Sequence, residues 1–132
     1  MKCKVKELCR IGRGRNLKGF INEELNPVLC GWMNYFRLSQ TKGFAEELDG
    51  WIRRRLRCIL WRQWKSPRTR FQRLKASGLD KERARKSASN GRGAWFNSGA
   101  SHMNTAFPKR YFDKVGLRSL LDMLQSFTTT SP

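Results

Sequence analysis

Acid–base and metal chemistry have little to work with in this chain. Its 132 residues include one histidine, His102, and ten carboxylates set against 28 Lys or Arg. Ser98 and Ser101 lie near His102 in sequence, but no acid stands close by to orient the imidazole, so the three do not form a nucleophile set. A satisfied surface histidine, or one at a helix start, is the expected role. The carboxylates are scattered, with no pair placed for two-metal chemistry. Cys3, Cys9, Cys30 and Cys58 make no Cys-x-x-Cys pair, so no zinc site is expected and the thiols read as small apolar fillers or exposed groups. The Gly-rich stretch at 12–19 follows no strand and is not a phosphate-cradling loop. No apolar run approaches the roughly 20 residues that span a bilayer. The start, MKCKVKELCRIGRGR, is charged throughout and lacks the apolar stretch of a signal peptide. The expectation is a cytoplasmic protein that is not an enzyme and needs no cofactor.

What the chain has in excess is positive charge. The formal net charge is +18, and self-repulsion on that scale costs stability unless a polyanion discharges it. Residues 53–92 hold fifteen Lys or Arg against Asp80 and Glu82 alone. Within them, WIRRRLRCILWRQWKSPRTRFQRLK at 51–75 combines ten cations and three Trp with no acid. Guanidinium groups grip phosphates bidentately, and exposed indoles stack on unpaired bases. A second basic cluster, Lys2, Lys4, Lys6, Arg10, Arg13 and Arg15, is equally readable as a flexible arm or a specific contact.

Helical periodicity dominates, and no stretch sustains strand alternation. Short helices are expected over 2–10 and 17–24, the second stopping at Asn26-Pro27. There Asn26 reads as an N-cap and Pro27 as the first helical residue of the next element. Val28, Leu29, Trp32, Tyr35 and Phe36 fall within about 120° of arc, marking one buried face, while Cys30, Asn34 and Arg37 look away. Thr41-Lys42-Gly43 reads as a turn before a long helix from about Phe44 to Lys65, in which Leu48, Ile52, Leu56, Ile59 and Leu60 form an apolar seam. Glu46, Glu47 and Asp49 gather in its first turns, where the helix dipole favours them. Arg53, Arg54, Arg57, Trp61, Trp64 and Lys65 project from the opposite face, and Arg55 and Arg62 flank the seam. For the indoles taken alone, burial in a second core is the favoured reading. Pro67 opens a helix ended by Gly78, and Asp80 caps another over 81–88. Beyond the 90–93 loop, Trp95, Phe96, Met103, Phe107, Tyr111, Phe112, Leu117, Leu120 and Leu121 read as apolar anchors in short pieces around Pro108 and Gly116. The expected fold is all-α, a small thumb-like helical bundle with a short irregular helical C-terminal appendage. Its expected divisions are a basic lead-in at 1–24, a central domain at 25–90 and a tail region at 91–132.

One family shares this arrangement. Leu25-Asn26-Pro27 leads into Gly31-Trp32-x-Asn34-Tyr35-Phe36. Leu48-Asp49-x-Trp51-Ile52-Arg53-Arg54-Arg55-Leu56-Arg57 follows, and then Trp61-x-x-Trp64-Lys65. In order and spacing these elements resemble the maturase-specific domain, or domain X, of group II intron-encoded reverse transcriptases, which occupies the polymerase thumb. Ser89 to Asp122 is similar to the tails of bacterial members without an endonuclease. The resemblance implies a splicing cofactor that stabilises the folded intron while the RNA performs the chemistry. It also implies a fragment or remnant, since the Tyr-x-Asp-Asp carboxylates of the polymerase palm do not occur in the chain. The expected RNA-binding residues are Arg53, Arg54, Arg57, Arg62, Lys65, Arg68, Arg70 and Arg73 on phosphates, with Trp61 and Trp64 as the stacking candidates. The expected partner is group II intron RNA, with no membrane and no small-molecule substrate. Two alternatives stand beside it: a thumb acting in trans with a separate reverse transcriptase palm chain, and a helical protein that binds DNA or RNA without specificity.

Overall fold

The computed structural model describes residues 2–11, 16–39 and 42–123, except for the side chains of 11, 33–39 and 42. The side chains of Tyr35 and Phe36 of the expected buried face and of Asn34 and Arg37 opposite, and the whole of Arg13, Arg15 and Thr41, therefore lie outside what is described. The architecture is all-α. Helix α1 (Lys2–Ile11) is followed by α2 (Leu17–Phe20), a π-helical turn (Ile21–Leu25), α3 (Asn26–Ser39) and the long α4 (Lys42–Gln63). Then come α5 (Pro67–Ala76), α6 (Lys81–Ala88), α7 (Ala94–Gly99), α8 (Ser101–Ala106) and α9 (Lys109–Val115). A last helical turn occupies 120–123.

Helix α4 organises the rest. Its apolar seam is buried as its spacing requires, through Leu48, Ile52, Leu56, Ile59 and Leu60. Val5 and Cys9 of α1, Phe20, Ile21 and Leu25 of the second segment and Leu29 of α3 join the same cluster. So do Met103, Phe107, Phe112 and Leu120 from the C-terminal pieces. Val28 and Trp32 are only half-buried. Lys42 and Gly43 are already helical, so α4 begins two residues before the expected Phe44, within the ordinary fraying of helix ends.

Several boundaries follow local chemistry. Pro67 disfavours the helical conformation for Ser66, which is extended at φ −133° and ψ 154° and accepts a hydrogen bond from the Thr69 amide as the N-cap of α5. At the other end Gly78, at φ 98°, takes the left-handed conformation that only glycine adopts freely. The Leu79 amide then bonds the Leu74 carbonyl and the Gly78 amide bonds that of Lys75, a Schellman closure. Asp80 caps α6 through the Arg83 amide.

Asn26 does not cap a helix. It is itself helical, at φ −57° and ψ −42°, and the chain runs through it continuously from Leu17 to Ser39. Two influences override the expected start. The side chain is engaged elsewhere, with Nδ2 donating to the Gly116 carbonyl at 2.7 Å and Oδ1 accepting from the Arg118 amide at 2.9 Å. Asn22, one turn earlier, donates to the Val115 carbonyl at 3.2 Å. The π turn also lets the helix pass Pro27, whose ring would otherwise clash with the carbonyl four residues back.

The C-terminal end is fastened to α4 by a buried carboxylate. Asp49 accepts from the Leu120 and Leu121 amides, both at 2.8 Å, and from the Ser119 hydroxyl at 2.7 Å. It caps the 120–123 turn from outside in sequence. Asp49→Ala leaves these donors buried without an acceptor and is expected to cost roughly 2–4 kcal/mol of unfolding free energy, read by urea denaturation. A loss under about 0.5 kcal/mol, the level of an ordinary surface change, would show that the carboxylate does not hold the C-terminal end.

His102 belongs to a second buried network rather than to the surface. Its Nε2 lies 2.9 Å from Asn97 Oδ1, which also accepts from Asn90 Nδ2 at 2.8 Å, so the imidazole donates there. Burial, and secondarily the Arg83 charge, push its pKa below the ordinary 6.5. The unfolded chain thus binds the proton more readily than the native state. The neutral ring's contribution is fully present above about pH 6.5 and is lost as pH falls through the lowered native value. Stability measured at pH 5 is expected to fall relative to pH 7.5, and His102→Gln, which keeps an N–H donor, to flatten that difference. An unchanged difference in the variant contradicts the assignment.

Candidate nucleic-acid interface

The ten residues expected to meet RNA separate into three groups once the bundle is assembled. Arg57, Trp61 and Trp64 are buried, at 6%, 2% and 5% exposure. Trp61 packs against His102 with centroids 5.6 Å apart, and Trp64 against Phe107 at 5.6 Å. The two indoles are 6.1 Å from each other. Both fill the second core between α4 and the C-terminal helices. Arg57 follows them inward. Its Nε donates to the Phe107 carbonyl at 2.8 Å, and its guanidinium lies 5.4 Å from the centre of the Phe112 ring. Burial first, and the nearby Arg53 charge second, lower its pKa to about 10. It remains a cation at neutral pH, with its guanidinium engaged inside the protein.

Arg53, Arg54 and Arg70 form the second group, all half-buried. Arg54 donates to the Trp95 carbonyl at 2.9 Å and lies 3.8 Å from the centre of the Trp95 ring. It sits so close to α7 that a Cβ on Gly99 would come within 2.7 Å of its guanidinium. Arg70 donates from Nε to the Trp64 carbonyl at 2.9 Å and lies 4.9 Å from the Trp61 ring centre, closing the core from outside. Both spend much of their donor capacity on the fold.

Arg62, Lys65, Arg68 and Arg73 make the third group. All are exposed, and none has an ion pair among the described residues. They run from the last turn of α4 through the length of α5. On the other side of Arg62, α1 presents Lys6 and Arg10, also exposed. Ion pairs among the described residues include Arg85–Glu82 on α6 and Lys109 with Asp113 and Asp122.

Aromatic rings reach solvent at a place the sequence pattern did not mark. Trp95 and Phe96 are 38% and 45% exposed, contrary to their expected role as anchors. Arg54 and Arg55 lie over Trp95 at 3.8 and 4.6 Å, and Arg92 lies over Phe96 at 5.0 Å. The cause is the next two residues. Asn97 and Ser98 are fully buried and take the inner face of the six-residue α7, Asn97 for the Asn90–Asn97–His102 network and Ser98 for a hydrogen bond to the Trp95 carbonyl. Adjacent polar residues with a buried hydrogen-bonding task were the available signal, and a hydrophobicity pattern does not carry it.

The arrangement can bind a polyanion. Among the described residues no three His, Cys, Asp or Glu side chains gather where a metal could sit. Nor is any helix among them long and apolar enough to cross a membrane. Comparison with curated proteins gives no match. The family description "Group II intron, maturase-specific domain" matches residues 1–78, from α1 to the glycine that closes α5. That match takes in α4 and α5 with their exposed cations and more than half of the chain, and on it the protein belongs to the group II intron maturase-specific domain family.

Proposed function

We propose that this chain binds group II intron RNA and assists splicing by stabilising the folded intron, with the chemistry residing in the RNA. The observation that carries this reading is the band of exposed cations, with no ion pair among the described residues, on the family-matched part of the fold: Lys6, Arg10, Arg62, Lys65, Arg68 and Arg73. Such charges repel one another in the free protein and are discharged against phosphates. Trp95 and Phe96, each beneath a guanidinium, favour a partner with unpaired bases, which a folded RNA offers and duplex DNA does not. Of the residues expected from sequence, Arg62, Lys65, Arg68 and Arg73 are kept as direct contacts. Arg53, Arg54 and Arg70 take a supporting place, and Arg57, Trp61 and Trp64 are released to the core. In this reading the chain contributes no polymerase step of its own.

If about six cations meet phosphates, the logarithm of the RNA association constant is expected to fall with the logarithm of salt concentration at a slope of about −4 to −5. A flat response would remove the reading. The splicing role is tested by the excision rate of a group II intron transcript at low Mg²⁺, which added protein is expected to raise. A rate indifferent to protein, with RNA bound, would reduce the function to binding alone.

Replacing Trp95 and Phe96 together by Ala is expected to weaken binding to single-stranded RNA by about 1–3 kcal/mol per stacked base. Affinity for duplex DNA of equal length should stay unchanged. Equal losses on both would point to a damaged surface and contradict stacking.

A further inference from the structure

Helix α1 lies along α4 without closing fully upon it. Between them is a cleft of about 30 Å³ whose walls include four cations, Lys6, Arg10, Arg55 and Arg62, together with the buried thiols of Cys9 and Cys58. No carboxylate lines it. Four like charges facing one small space raise the energy of the unliganded protein, and they do so on a helix pair that must still pack through Val5 and Ile59.

Arg55 makes the site specific. Its Nε is buried and has no hydrogen-bond partner among the described residues. A charged donor left in that state is costly, so a small side-chain shift that brings it to an acceptor in the cleft is strongly favoured. The face of its guanidinium is already occupied, 5.2 Å from the Trp51 ring centre and 4.6 Å from that of Trp95. What remains is the donor edge, the geometry that holds an oxyanion. The volume of about 30 Å³ accommodates about two water-sized groups. That is the number of non-bridging oxygens on one phosphodiester, and the exposed Lys6 and Arg62 at the walls leave its ester links free to continue into solvent.

We propose that this cleft seats a single phosphodiester of the RNA backbone, gripped by Arg55 from within and by Lys6, Arg10 and Arg62 around it. The assignment rests on the RNA-binding reading above but makes a separate claim, that one phosphate is held in a built site between α1 and α4. Neutralising one phosphate contact at this site would leave the α5 cations in place.

The test follows the arginine Nε–H resonances of the full chain by NMR, at constant ionic strength, against inorganic phosphate, a mononucleotide and a single-stranded RNA oligonucleotide. The Arg55 signal is expected to shift, to saturate with phosphate and to gain protection from solvent exchange, while the signal of Arg85, paired with Glu82 on the distant α6, does not. The oligonucleotide should saturate Arg55 at the lowest concentration. Lys6→Gln and Arg62→Gln, both at exposed positions, should each weaken inorganic phosphate binding at Arg55 several-fold. Equal shifts at Arg55 and Arg85 would mean an adventitious ion only, and tighter saturation by the mononucleotide would mean a free nucleotide site. Either overturns the proposal. RNA binding with unchanged phosphate affinity in both variants overturns it too, while leaving the RNA reading intact. Phosphate saturation with no RNA binding by the wild type overturns both.

Discussion

Helix α4 is packed on two sides, and the placement of cations across the fold follows from that. On one side its leucines and isoleucines meet α1, the π turn and α3. On the other, Trp61, Trp64 and Arg57 are covered by α7, α8 and α9. A chain of 132 residues has only a modest core to build, and this one builds it by wrapping its longest helix. Enclosing α4 leaves no room for a free basic and aromatic strip along its length. The charges that cannot be buried are displaced to the ends and edges: Arg62 and Lys65 where α4 stops, Arg68 and Arg73 along α5, Lys6 and Arg10 across from them on α1.

The division of the chain between matched and unmatched parts sharpens this. The family match ends at residue 78, yet the groups that cover Trp61 and Trp64 are His102 and Phe107, and the amides that satisfy Asp49 belong to Leu120 and Leu121. Asn22 and Asn26 likewise hold 115–118 from inside the matched region. The C-terminal pieces therefore complete the core of the maturase-specific domain. By pulling Arg54 and Arg57 toward α7 and Phe107 they also decide which arginines of the Arg53-Arg54-Arg55-Leu56-Arg57 run remain available to a partner.

Local chemistry made much of the fold legible in the sequence. Ser66, Pro67 and Gly78 bound α5, Asp80 caps α6, and the 48–52–56–59 spacing marks the buried seam, because each signal is satisfied within a few residues. Failures came where a distant segment competes. A helical wheel shows that Arg57, Trp61 and Trp64 share a face, and burial in a second core is the reading the two indoles favour, but it does not show that helices of six or seven residues, too short to show a period of their own, will draw Arg57 in with them. Asn26 carries a cap signature that is locally sound, and contacts some ninety residues away redirect its carboxamide. Trp95 and Phe96 look like anchors until Asn97 and Ser98 claim the interior. The exposed basic surface was legible as a charge excess and illegible as a list, since charge density survives folding while the exposure of each arginine is set by what packs beside it.

The central claim is that the outer band and the Trp95–Phe96 edge face RNA, while the indoles of α4 do not. Zero-length ultraviolet crosslinking of the full chain to a group II intron transcript, with the crosslinked residues identified by mass spectrometry, tests it most directly. Crosslinks are expected at Trp95, Phe96 and along α5 from Arg68 to Arg73, with none at Trp61 or Trp64. Crosslinks concentrated at Trp61 and Trp64 would mean that the C-terminal helices lift away on binding, and would contradict the enclosure of α4 on which this account depends.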